Sequence, residues 1–270
     1  MLVVMRTPLD DLARTTMATR RLAQAVAVVL AVGGAGADAF AQGEPPPRLR
    51  LILEASNVWQ QRNDVRIPPD TGTEFSIVDL IGSAPTPSLR AELTVGLTPR
   101  QELRVVYAPL RLSGRGTPDG AIAFAGGQFA AVPTEASYQF TSYRATWRYR
   151  VYRGRTWTWS LGATAFVRDA RIALAQPGTT AEDTDIGVVP LGHVHGEARL
   201  GGRWRFDVEL DGSAAPQGRA FDAAAMLRYQ VTPRLSIGGG YRTIEGGADV
   251  DAVYTFAWIN AAVAKVALTF

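Results

Sequence analysis

His193 and His195 are the two histidines of the chain. With Glu197 they form an HxHxE run, which in a strand puts all three side chains on one face, successive members about 6.7 Å apart. Imidazoles and a carboxylate so placed can hold a borderline divalent metal, provided a further ligand arrives from a neighbouring strand. The competing reading has both rings simply packing among other charged groups. A second set of acids, Asp183, Asp185, Asp211, Asp222, Glu245, Asp249 and Asp251, falls near the ends of several expected strands. Carboxylates there could activate water, or bind cations that bridge charged lipid headgroups. Hydrolysis would also need a histidine beside them, and both histidines lie seven or more residues inside their strand. No enzyme activity and no organic cofactor are therefore expected.

A third and larger set is defined by alternation. Arg50, Glu54, Arg90, Glu92, Glu102, Arg104, Arg144, Arg148 and Arg150 share one parity within their segments. So do His193, His195, Glu197, Arg199, Arg205, Asp207, Glu209, Arg228 and Arg242. Between them, on the opposite face, stand residues such as Leu51, Leu53, Leu89, Leu93, Val105, Tyr107, Trp147, Trp157, Trp159, Phe206, Leu210 and Leu227. Guanidinium and carboxylate groups in similar numbers on one face can pair with one another. Arginine's forked donors suit such pairing better than lysine's point charge. Of the 28 basic residues Lys265 is the sole lysine.

Positioning such a face requires strands throughout. Period-two alternation marks ten of them, at about 48–60, 88–97, 101–112, 138–152, 155–175, 186–200, 203–211, 220–231, 234–245 and 254–270. Tight turns fall at Thr98-Pro99-Arg100, Arg153-Gly154, Gly201-Gly202 and Thr232-Pro233, where Pro or Gly sets the turn dihedrals. Longer polar connections are expected at 61–87, 113–137, 176–185, 212–219 and 246–253. Within the first of these, Thr73 to Leu80 is apolar enough for an extra hairpin arm or a lid over one end. The chain contains 27 Gly, 16 Pro and no Cys, so a disulfide framework and thiolate chemistry are excluded. A net charge of +3 from dispersed arginines leaves no footprint for nucleic acid.

Residues 1–41 read as a secretory signal, with a basic pair at Arg20-Arg21, an apolar run from Leu22 to Val32 and a small-x-small site at Ala39-Phe40-Ala41. The expected initiator is Met17. A spacer at 42–47 then leads into a single domain, 48–270.

The last strand puts Tyr254, Phe256, Trp258, Val266, Leu268 and Phe270 on one face and ends on Phe270, which resembles the closing strand of Gram-negative outer-membrane β-barrels. In that family the closing strand carries an assembly signal, here Trp258, Val266, Leu268 and Phe270. The resemblance implies an all-β, antiparallel up-and-down transmembrane barrel in the outer membrane. It also implies contact with outer-membrane lipid and lipopolysaccharide, and with the barrel assembly machinery, and leaves the oligomeric state open. The stretch from Gly240 to Asp251 is similar to an RxxEGGAD turn of uncharacterised barrels of this kind, where Gly246-Gly247 would supply positive φ and Arg242 would pair with Glu245. Alternation alone equally permits a soluble barrel with its apolar face inward. On the membrane reading the charged face lines the lumen and plugs it. The barrel is then structural or ligand-binding, with a narrow channel for a small charged solute as the first alternative and a surface enzyme as the second.

Overall fold

The computed structural model describes residues 49–270, so the expected signal segment and spacer lie outside the described residues. The described chain forms β1 (Leu49–Arg66), β2 (Phe75–Ser76), α1 (Ile77–Ile81), β3 (Thr86–Gly96), β4 (Gln101–Ala108), β5 (Arg111–Gly116), β6 (Ile122–Phe124) and β7 (Gly127–Phe129). It continues through β8 (Thr134–Arg153), β9 (Trp157–Gln176), β10 (Thr179–Gly201), β11 (Trp204–Ala215), β12 (Gly218–Gln230), β13 (Leu235–Val250) and β14 (Val253–Thr269).

Ten antiparallel staves run in the order β1, β3, β4, β8, β9, β10, β11, β12, β13, β14, and β14 returns to β1 over Arg50↔Thr269 to Arg66↔Tyr254. Beyond a break at Pro109, β5 continues the β4 stave and pairs with β8. Between β14 and β1 closure leaves no row of unpaired backbone N–H and C=O groups. In hydrocarbon each such unpaired group would cost several kcal/mol. The expectation of ten strands in a closed barrel is met.

Side-chain parity is inside-out relative to a protein in water. Leu89, Leu53 and Leu161 are 67%, 54% and 49% exposed, while Arg104 and Asp211 are fully buried in the lumen. Rows of aromatic residues flank the apolar band. Trp147, Tyr149, Trp157, Trp159, Trp204 and Tyr229 lie near the end with the four tight turns, and Trp59 and Trp258 near the other. A continuous apolar girdle of this extent is stable against lipid and not against water, and the soluble alternative is discarded. The protein is a transmembrane barrel of the outer membrane, in contact with its lipid. The tight-turn end is periplasmic.

Only two of the five expected outer loops are long. Segments 176–185, 212–219 and 246–253 are strand almost throughout, turning at Pro177-Gly178, Pro216-Gln217 and Asp251-Ala252. Above the bilayer both faces of a hairpin meet water, so the apolar alternation stops although the ladder continues. Gly246 and Gly247 lie in β13 with extended backbone, and Gly247 is required for close approach: a Cβ there would come 2.1 Å from the Thr255 carbonyl oxygen.

The two long loops fold together over one side of the mouth. α1 is capped by Ser76, whose hydroxyl accepts from the Asp79 N–H at 3.4 Å, and by Gly82 at φ 77°. Its buried Ile77 and Leu80 join Phe124 and Phe129 of the β6–β7 hairpin and Val65, Leu112 and Tyr138 of the wall in one apolar cluster. The expected lid segment is thus a helix, not a hairpin arm.

If the outer face meets lipid, charge placed midway along it should be costly. Ala225 is exposed on β12, midway between outward-facing Phe221 and Tyr229. Ala225→Arg should destabilise the barrel in liposomes by about 2–4 kcal/mol, read as a lowered urea midpoint. A barrel standing in water would tolerate the change.

Candidate functional site

The lumen is divided by a floor of charged side chains built from facing strands. Arg104 of β4 donates through Nε to Glu92 of β3 at 2.8 Å, and its Nη2 crosses to Glu209 of β11 at 2.6 Å. Because β4 and β11 stand on opposite sides of the ring, this one side chain ties the two walls together. Its Nη1 also lies 3.5 Å from Asp211, which is reached at 3.0 Å by Arg144 of β8.

Asp222 of β12 gathers three guanidiniums: Arg242 at 2.6 Å, Arg144 at 2.8 Å and Arg90 at 3.4 Å. Glu54 of β1 sits between Arg242 at 3.2 Å and Arg90 at 3.7 Å. A sparser tier lies toward the periplasm. There Arg148 meets Glu102 at 2.6 Å, Arg228 meets Asp207 at 2.9 Å and Glu197 at 2.5 Å, and Lys265 approaches Asp207 at 3.7 Å. Arg50 and His195 line a void of about 30 Å³ in this tier.

Sequence parity thus identifies most of the network, with corrections. Arg150, Arg199 and Arg205 lie at the periplasmic rim instead. Arg150 donates to the Pro99 carbonyl at 2.6 Å, Arg205 to the Trp204 carbonyl at 2.9 Å, and Arg199 is exposed. Asp211 and Asp222, expected at the outer rim, are instead buried at the centre of the floor. Their parity with Asp207 and Glu209 on β11, and with Arg228 on β12, is the signal that locates them. Arg242 pairs with Asp222 and not with Glu245, which is held by Arg219 across the β12–β13 ladder.

His193 is fixed by this arrangement. Its Nδ1 lies 2.8 Å from Asp211 Oδ1, an oxygen that also accepts from the Thr164 hydroxyl at 2.8 Å. Nε2 has no protein partner. Among the described residues no group of three histidines and carboxylates is placed to hold a metal ion.

Above the floor, on its outer side, lies a cavity of about 570 Å³. Its walls are mainly apolar, with Phe140, Phe166, Ile172, Leu191, Ile244 and Ile259 among them, and Arg144 and Asp222 of the floor close its base. The Arg144 guanidinium lies 4.8 Å from the centre of the Phe166 ring, so the charged layer presents partly covered faces to the apolar space. At the upper rim Arg168 pairs with Asp185 and Arg171 with Glu182.

No family model matches the chain. An imidazole-carboxamide isomerase of Idiomarina loihiensis is 30% identical over 86 residues, 32% of this chain and 34% of that one. The chain spans about a third of that relative's length and takes no activity from it. Among solved structures, the outer membrane protease OmpT of Escherichia coli gives a TM-score of 0.49 at 9% identity over 86% of this chain and 99% of that one. The attachment invasion locus protein Ail of Yersinia pestis gives 0.38 at 10% identity over 82% and 99%. The translocator domain of the autotransporter NalP of Neisseria meningitidis gives 0.40 at 12% identity over 97% and 98%. At these scores the barrel assignment rests on the strand pairing and the placement of side chains.

Asp222→Ala would leave three guanidiniums facing one another without their shared acceptor. The expected loss is about 3–5 kcal/mol of unfolding free energy. The same truncation at exposed Asp119 should change little, and denaturant titration of both variants in detergent compares them.

Proposed function

We propose that this outer-membrane barrel is a binding vessel for a small apolar molecule, with its lumen closed to ions by the charged floor. The observation that carries the reading is a cavity of about 570 Å³, within the range that encloses a small ligand, lying directly on that floor. Ten staves leave a bore that crossing side chains can fill, as Arg104 does between β4 and β11. The His193–Asp211 pair is held within the floor, which favours a structural role for it over catalysis. The resemblance of the Gly240 to Asp251 stretch to uncharacterised barrels adds no activity to this reading.

The direct test uses purified barrel in detergent and the uncharged fluorophore N-phenyl-1-naphthylamine. Saturable binding is expected, lost in Ala257→Trp, which would fill the cavity from β14. Only non-saturable partitioning, unchanged in that variant, would overturn the reading. In planar bilayers the wild type should be silent, and conductance steps should appear once Arg104 and Glu209 are both truncated to Ala. Large reproducible steps from the wild type would instead establish the narrow channel.

The assembly machinery is proposed to engage β14, whose outward Trp258, Val266, Leu268 and Phe270 form an apolar stripe beside the β1 seam. The Phe270 N–H donates to the Leu49 carbonyl at 2.8 Å across that seam. Phe270→Ala should lower the amount of heat-modifiable barrel in cells more than Phe256→Ala does. Equal amounts would count against this role.

A further inference from the structure

The wall of the barrel is not continuous on one side of the cavity. The ladder between β10 and β11 runs from Gly201↔Trp204 up to Gly192↔Gly212 and stops there, while β10 continues to Thr179 and β11 to Ala215. Three observations account for the parting of the strands. Pro190, at the point where the ladder ends, carries no N–H to extend it. The ladder of the upper part of β10 is with β9 alone, through a register that continues to Thr179↔Gln176. The β11–β12 hairpin leans the other way: Asp249 N–H donates to the Gln217 carbonyl at 3.2 Å, and the Arg219 guanidinium pairs with Glu245 and lies 5.2 Å from the Phe256 ring centre.

Parity shows that the cavity passes through this gap. Val189, Leu191 and Ala215 face the lumen, whereas Val188, Pro190 and Phe221 face outward, and all six border the same space. Below the open rim, where outward Arg171 and Glu245 also reach this space, a wall with an unbroken ladder presents a single parity to the lumen. On the outer surface the upper edge of β10 presents Ile186 and Val188, both exposed and apolar, toward the outer part of the bilayer. At the base of the gap the last rung is a pair of glycines. The Phe221 ring folds over Gly212 so closely that a Cβ there would come 2.7 Å from Cδ1.

We infer that the gap between β10 and the β11–β12 hairpin is a lateral portal, through which an uncharged apolar small molecule dissolved in the outer leaflet enters the cavity. The inference rests on the binding function proposed above and adds the route. The molecule is uncharged because, next to the last rung, Val188, Val189, Pro190, Leu191, Ala215 and Phe221 offer no side-chain partner for a charge, and Arg168 above them, beside Gly187, is already paired with Asp185. Entry from the bilayer also spares an apolar ligand the transfer into water that entry over the charged rim at Arg168, Arg171 and Arg219 would require.

The chain has no cysteine, so a single one can be placed and modified after folding. In Ala215→Cys a bulky maleimide would occupy the passage from its exposed edge. In Gly120→Cys, in the outer loop between β5 and β6, the same label serves as control. Barrels in liposomes are then loaded with N-phenyl-1-naphthylamine delivered through the lipid. Arrival in the cavity is read as the part of the dye's fluorescence change that is absent from barrels carrying Ala257→Trp, whose cavity is filled. The label at position 215 should slow loading by about tenfold while leaving the equilibrium signal near that of unlabelled protein, and the label at position 120 should leave the rate unchanged. Equal rates for labelled and unlabelled Ala215→Cys, or equal slowing by both labels, would overturn the portal while leaving the binding cavity in place. Absence of saturable binding in the unlabelled barrel would overturn both.

Discussion

Arg104 spans the bore, and much of what is particular to this barrel follows from that contact. A guanidinium fully withdrawn from water is tolerable only with several acceptors in good geometry, and Arg104 has Glu92 on its own side and Glu209 and Asp211 on the far wall. Those acids are in turn held where the strand register places them, Glu209 and Asp211 two residues apart on one face of β11. Closing β14 on β1 brings the facing walls to the separation that such a side chain can bridge. Ladder and floor therefore depend on each other: the ring positions the charges, and the charges fix the bore.

The floor also separates two environments inside one tube. Toward the periplasm the lumen is filled with ion pairs around Arg148, Arg228 and Asp207. Toward the outside it is apolar, bounded by Phe140, Phe166 and Ile172, and adjoins the apolar cluster that packs α1 and the β6–β7 hairpin against the wall. Few membrane barrels need an apolar interior to be soluble in lipid, since their outer face meets that demand. An apolar interior above a charged layer is thus not something the surrounding lipid demands.

Much of the arrangement is legible in the sequence because a strand's period of two is rigid. Once Arg104 and Glu102 are assigned to one face, every even residue of β4 follows, and the same holds for Arg144 and Arg148 on β8. Parity says nothing, however, about height along the barrel. Arg150, Arg199 and Arg205 have lumen parity and nevertheless lie at the periplasmic rim. Asp211 and Asp222 were misplaced in the opposite direction, because the polar residues that follow or precede them read as loop when they are strand standing above the membrane. α1 was hidden for another reason. Five residues carry too short a pattern to identify a helix, and it is held by burial of Ile77 and Leu80 against walls far away in sequence. The breach beside β10 was equally invisible, since it arises from pairings that fail to form.

The cross-bars of the floor are guanidiniums, not amines or imidazoles, and this sets the circumstances the barrel can endure. Outer membranes face whatever medium the cell meets, and a lysine or histidine bar in so dry a place could shed its proton and let go of its carboxylate. Arginine holds its charge more firmly than either. Arg90, Arg104, Arg144 and Arg242 also carry five N–H donors each in a rigid plane, so a carboxylate that slips from one donor meets the next, and the partition between cell envelope and surroundings keeps its geometry as the wall moves.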